Sequence, residues 1–198
     1  EALKFSPSKP FVWASGLKSP IYCDNRLSLS HPNIRSYIKE SLANLASTHF
    51  SEATLIAGVA TAGVPHGALL ADALNLPFAY VRSKPKGHGM QNLIEGKISA
   101  NDKVLVVEDL VSTGGSSLKA VEAIRHLKAD VLGLASIFTY SFDKSQRAFD
   151  DANCPWYSLS DYPTALKIAI EKDFVTEAQR TMLESWYKNP EEWVSAES

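Results

Sequence analysis

Hydrophobic positions along this chain change their period several times, and each change marks an element. Residues 54–59 (Thr-Leu-Ile-Ala-Gly-Val) and Val104–Val107 are aliphatic runs without polar alternation, the pattern of strands buried on both faces, as in a parallel sheet. Phe78–Arg82, Val131–Thr139 and Trp156–Leu159 read as further strands. Between them apolar residues recur at helical spacing. Ile34, Tyr37, Ile38, Leu42, Leu45 and Ala46 form one face of a helix from Pro32 to about Phe50, with Pro32 in the first turn. A second helix covers Ala68–Leu74, and Leu118, Val121, Ile124 and Leu127 mark a third, with Ser116 or Ser117 available as N-cap. Pro163–Glu171 and Thr176–Lys188 are helical by the same test, Trp186 and Trp193 being packing groups of that tail. Strands alternating with helices predict an α/β fold with a mostly parallel central sheet flanked by helices.

The first 26 residues stand outside this rhythm. Two short apolar runs flank Ser15-Gly16, which predicts a small hairpin, with Pro20 placing the second run at an edge. The piece is expected to form a hood over the sheet. At 198 residues the whole chain, 1–198, is expected to be one domain with a core that needs no staples. A formal net charge of −2 argues against a general nucleic-acid binder. Two cysteines, Cys23 and Cys154, make no disulfide scaffold, which suits a cytoplasmic protein with reduced thiols. No apolar run approaches the roughly 18 residues that span a membrane, and no signal-peptide pattern opens the chain. It opens on Glu1 and not Met, which leaves its natural start open.

The chemistry concentrates where the 104–107 strand ends. Glu108-Asp109-Leu110-Val111-Ser112-Thr113-Gly114-Gly115-Ser116-Ser117 reads as the loop at the strand's C-terminal edge, leading into a helix. Such a loop aims backbone N–H groups and hydroxyls at an anion, reinforced by the positive end of the helix dipole. Carboxylates beside a phosphate repel it unless the same ligand offers them hydroxyl donors or a metal, and a phosphorylated ribose offers both. The usual nucleotide loops, G-x-x-x-x-G-K-[ST] and G-x-G-x-x-G, do not occur in this stretch. A second small-residue loop, Ala60–Gly67, also precedes a helix and invites an anion.

Two basic features remain. Arg82, Lys84, Lys86 and His88 are four cations or potential cations in a Gly-rich stretch that cannot pack itself, so residues 83–93 are expected to form a mobile loop suited to a polyanion that arrives and leaves. Near the start, Arg26 offers a bidentate grip on a planar carboxylate and Tyr22 a wall for a flat ring. A surface ion pair with Asp24 is the other reading of Arg26, and Lys18 reads equally as a solvated turn residue or a ligand contact.

An acid pair followed by a Thr/Gly/Ser-rich turn after an aliphatic strand resembles the phosphoribosyl pyrophosphate (PRPP) signature of the type I phosphoribosyltransferases. The segment Ser15-Gly16-Leu17-Lys18-Ser19-Pro20-Ile21-Tyr22-Cys23-Asp24-Asn25-Arg26 resembles the N-terminal signature of the orotate-specific branch, and Arg82–Gly89 resembles the family's catalytic loop. The resemblance covers nearly the whole chain. It implies transfer of the 5-phosphoribosyl group of PRPP to orotate, giving orotidine 5′-monophosphate and pyrophosphate in UMP biosynthesis, with Mg²⁺ as cofactor. It implies catalytic roles for Lys86, Glu108 and Asp109, and a PRPP site of Arg82, Lys84, Lys86, His88, Glu108, Asp109, Ser112, Thr113, Gly114, Gly115 and Ser116. Orotate falls to Arg26, Tyr22, Lys18 and Ser112. A cytoplasmic homodimer is implied, the loop closing over the neighbouring subunit's site, with no nucleic acid or membrane as partner.

Three positions depart from the pattern. The pyrophosphate loop has Ala62 where many relatives have a basic residue, so backbone groups alone serve there. The lysine common after the arginine is Ser83 here, with Lys84 one place later. An arginine that binds orotate in some relatives falls at Tyr140, which turns the carboxylate to Arg26.

Overall fold

The computed structural model describes residues 2–6, 10–13, 16–84 and 93–193; in it the hairpin expected around Ser15-Gly16 forms, but its second arm ends at Pro20 and the run beyond pairs elsewhere. Strand β1 (Leu3–Phe5) pairs antiparallel with β4 (Ile21–Cys23), and β2 (Phe11–Val12) with β3 (Lys18–Ser19). Pro20 has no N–H to give a ladder, so the run after it is handed to a different partner. The buried Ser19 side chain bridges the break, its hydroxyl donating to the Ile21 carbonyl at 2.7 Å.

These strands belong to one compact unit, residues 1–27 with 163–198. Trp186, fully buried on the helix Glu177–Lys188, anchors it as the packing group expected. Its indole N–H donates to the Lys18 carbonyl at 3.1 Å and its ring meets Trp13 edge-on at 5.9 Å. That helix begins at Thr176, whose side chain and that of Gln179 form a reciprocal capping box.

The second unit, Ser28–Tyr162, carries the sheet. Its strands are β5 (Leu55–Val59), β6 (Phe78–Val81), β7 (Ile94–Glu95), β8 (Lys103–Val111), β9 (Asp130–Thr139) and β10 (Trp156–Asp161), in the order β10-β9-β8-β5-β6-β7. All neighbours are parallel except the β6–β7 edge. The expected fold class is therefore observed: α/β, with a mostly parallel six-stranded sheet flanked by helices.

Alternation along the strands sorts the core into two layers. Leu105 and Val107 of β8 and Ile56 of β5 pack with Leu42 and Ala46 of α1 (Pro32–His49) and Leu70 and Ala71 of α2 (Gly63–Leu74). Val104 and Val106 face the other way, toward Val121 and Ile124 of α3 (Gly115–His126) and Phe149 of α4 (Asp143–Asp151). Both cysteines are buried thiols.

Two expectations need correction, and two elements were not foreseen. Helix α2 starts at Gly63 and not Ala68, because Pro65 suits a first turn and the small residues before it fit against β8. Ile34 and Tyr37 lie on the exposed side of α1, Tyr37 with 72 % of its surface open. Strand β7 is too short to show a period, and α4 buries only Ser145 and Phe149, so its polar composition hid it.

Candidate active site

Strand β8 does not stop at Val107. It runs through both acids to Val111, and only Ser112, Thr113 and Gly114 separate it from α3. The acids therefore stand on a rigid strand, where β pairing to β9 continues from Glu108 to Ser136 and from Val111 to Thr139. Glu108 is turned toward α3, where it meets Ser117, and the Asp109 carboxylate acts both on Glu108 and on His66 of α2.

Glu108 is 5 % exposed. Its Oε1 accepts the Asp109 backbone N–H at 3.0 Å and its Oε2 the Ser117 hydroxyl at 3.4 Å. Burial, and then the negative charge of Asp109, push its carboxyl well above the usual range. Asp109 is half-buried at the end of the sheet. Neither serine expected as the α3 N-cap takes that place; the cap is Gly114, at φ +82°. Ser117 is occupied with Glu108 instead. A Cβ at Gly114 would meet the Phe149 ring at 2.8 Å, so both conformation and space demand glycine.

The first helical hydrogen bond of α3 runs from the Leu118 N–H to the Gly114 carbonyl at 2.9 Å. The N–H groups of Gly115, Ser116 and Ser117 precede it, at the positive end of the helix. Ser112 and Thr113 are half-buried, while Gly115 and Ser116 are exposed. The end of β8 and the turn after it thus bring together two carboxylates and a small polar loop at a helix N-terminus.

The start of α2 completes the rim on the Asp109 side. Gly63 lies so close to β8 that a Cβ there would stand 2.4 Å from the Val107 carbonyl oxygen. His66, one turn on, is buried beside this contact, and the Asp109 charge acts on it. Sequence reasoning passed over His66; the signal available was its spacing of one helical turn from the core residue Leu70.

The basic stretch is only partly described. Arg82 donates from Nη1 to Glu95 Oε1 at 3.0 Å, tying the end of β6 to β7, and Lys84 is exposed. Lys86 and His88 lie outside the described residues, as does most of the 83–93 loop.

The residues expected to hold orotate, apart from Ser112, lie in the first unit. Arg26 donates from Nε and Nη2 to the two carboxylate oxygens of Asp24 at 2.6 and 3.0 Å, and from Nη2 to the Tyr22 hydroxyl at 3.3 Å. The guanidinium holds the Asp24 carboxyl below its ordinary value. The Tyr22 ring lies 5.4 Å from Phe11, and Lys18 is exposed. Tyr140 is a packing residue, 1 % exposed, edge-on to Phe138 and stacked on Phe142.

A mostly parallel sheet whose central strand carries paired acids into a small polar βα turn marks the class of the protein: the chain belongs to the phosphoribosyl transferase family, whose domain model matches residues 29–169. Within it the chain is 51 % identical over 190 residues to an orotate phosphoribosyltransferase of Halalkalibacterium halodurans, an alignment covering 96 % of this chain and 90 % of that protein. The crystal structure of orotate phosphoribosyltransferase from Aeropyrum pernix superposes with a TM-score of 0.76 at 26 % identity, covering 88 % of this chain and 94 % of that one. Leishmania donovani UMP synthase shares the fold, with a TM-score of 0.80 at 22 % identity over 94 % of this chain and 39 % of its own.

Proposed function

We propose that the protein is an orotate phosphoribosyltransferase, moving the 5-phosphoribosyl group of PRPP to orotate and releasing orotidine 5′-monophosphate and pyrophosphate in UMP biosynthesis. The observation that carries this reading is the acid pair Glu108-Asp109 on the same βα turn as the Ser112–Ser116 cradle. The half-identity to an orotate phosphoribosyltransferase over nearly the full chain supports the choice of base.

In this reading the 5′ phosphate sits on the N–H groups and hydroxyls of residues 112–116, and the ribose 2′ and 3′ hydroxyls donate to Glu108 and Asp109. As the bond from C1 of the ribose to pyrophosphate lengthens, C1 gains oxocarbenium character and the leaving oxygens gain charge. Groups aimed at that charge stabilise the transition state more than the ground state. Lys86, with Arg82, Lys84 and His88, serves there, and Ala60–Ala62 adds backbone groups. Arg26 grips the orotate carboxylate against Tyr22, with Lys18 and Ser112 at its edge. Arg26 pairs across both oxygens of Asp24, the ion pair that is its other reading, so gripping the orotate carboxylate requires the guanidinium to leave Asp24.

Mg²⁺ is the cofactor of this reading. The ion is held through few carboxylates plus substrate oxygens, and the half-exposed Asp109, orienting ribose hydroxyls, suits one that PRPP carries in. When bound it neutralises charge on the pyrophosphate. In this reading the enzyme is a cytoplasmic homodimer in which the 83–93 loop, mostly outside the described residues, serves the neighbouring subunit's site and keeps water from PRPP.

The test is the fall in orotate absorbance when protein, PRPP and Mg²⁺ are mixed, with adenine, hypoxanthine and uracil in parallel. Orotate loss that needs both PRPP and Mg²⁺ is expected. Consumption of another base instead moves the chain to a different branch of the family. Binding of PRPP with no base consumed makes it a PRPP sensor.

A further inference from the structure

Among the described residues, His66 is the single case of a buried side-chain polar atom, Nε2, with no hydrogen-bond partner. The residue is 1 % exposed. Buried polar atoms are almost always paired, and an apolar side chain of similar bulk would fill the same space with nothing left unpaired. A histidine kept here under that penalty points to a partner that arrives later.

The neighbourhood names the partner. His66 lies one helical turn before Leu70, which packs in the layer of Leu105 and Val107. Asp109 follows those two residues on β8, and its charge reaches the imidazole. The first turn of α2 is pressed onto that strand, since a Cβ at Gly63 would stand 3.2 Å from the Glu108 Cα. Burial lowers the imidazole pKa below 6.5, opposed by the charge of Asp109, so the ring is neutral near pH 7 and holds one N–H.

We propose that His66 is a positioning residue: its Nε2–H donates to the Asp109 carboxylate when PRPP draws that carboxylate onto the ribose hydroxyls, so that α2 sets which oxygen of Asp109 faces the sugar. The inference rests on the reading of Asp109 as a ribose-hydroxyl acceptor. Through it the helix that carries the pyrophosphate loop and the acid that holds the ribose move as one body.

The experiment compares His66→Leu, His66→Gln and His66→Asn by steady-state kinetics and melting. His66→Leu is expected to raise KM for PRPP about tenfold, with kcat and the orotate KM within about twofold, and to melt at or above the wild-type temperature. The Gln amide reaches where Nε2 lies and the Asn amide where Nδ1 lies, so Gln restores most of the PRPP affinity and Asn does not. An unchanged PRPP KM in His66→Leu, or equal behaviour of Gln and Asn, overturns the role; the second comparison holds even if the Leu variant fails to fold. Asp109→Asn separates the two levels. If it leaves the PRPP KM unchanged, the reading of the ribose site has failed. If it raises that KM, His66→Leu added to it should cost nothing more, and an additive loss overturns the His66 inference alone.

Discussion

Glu108 and Asp109 are consecutive on β8 and their carboxyls act on each other: Glu108 takes the Asp109 backbone N–H at 3.0 Å and the Ser117 hydroxyl of α3, while the Asp109 charge also reaches His66 of α2. Burial gives the two adjacent acids different environments. One is buried and prefers its proton; the other meets solvent at the mouth of the phosphate turn.

This asymmetry predicts a pH-dependent stability. The folded Glu108 carboxyl titrates above its ordinary 4.5, so once pH passes that value the unfolded chain has released a proton the native state still holds, and native stability falls as pH rises toward the folded value. Glu108→Gln removes the penalty. Its Tm should exceed that of the wild type near about pH 7, by about 2–4 °C for each kcal/mol, and the gain should vanish near about pH 4. The same variant should bind PRPP more weakly. Melting curves across pH check it, and a gain independent of pH places the effect elsewhere.

Replacing Arg26 tests the orotate site. Losing charge-assisted hydrogen bonds worth about 1.5–3 kcal/mol corresponds to a rise of about 10–100-fold in the orotate KM, with the PRPP KM little changed. Arg26→Lys should recover little of it, because an ammonium lacks the planar fork. An orotate KM that stays at the wild-type value in Arg26→Ala removes the residue from the pocket.

For Lys86→Ala a loss of roughly 10²-fold in kcat is expected, the scale of removing one preorganised donor, with normal melting. If the loop serves the neighbouring subunit, mixing Lys86→Ala with Asp109→Asn after co-refolding should restore about a quarter of the wild-type rate, from mixed dimers with one intact site. No recovery beyond the sum of the two variants argues for a loop that closes on its own chain.

Close packing of α2 on β8 predicts that Gly63→Ala destabilises strongly. The added methyl would stand 2.4 Å from a backbone oxygen that has no rotamer to yield. Overpacking of this kind costs about 1–3 kcal/mol, or about 2–12 °C in Tm. Calorimetry of the variant decides it; a Tm equal to the wild type means that helix and strand separate more readily than their contact suggests.

Much of this was legible in the chain itself. The aliphatic runs at 54–59 and 104–107 located two central strands, and the periodicity of Leu118, Val121 and Ile124 located α3. The boundaries were less legible where polar residues continue an element: Glu108 and Asp109 read as loop because they are charged, but pairing with β9 holds them in the strand. Strand β7 and helix α4 were missed because one is two residues long and the other is mostly polar.

Local pattern and residue type determined the class of fold, the phosphate turn and the acid pair, because each depends on residues close in sequence. Only the tertiary structure decided that Ser117 binds Glu108 and leaves Gly114 to cap α3, that Ile21–Cys23 pairs with Leu3–Phe5, and that His66 of α2 lies within reach of the charge on Asp109. Those outcomes depend on which face of a strand meets which helix, and on a backbone approach that only glycine permits. Such relations join residues far apart in the chain, where no periodicity records them.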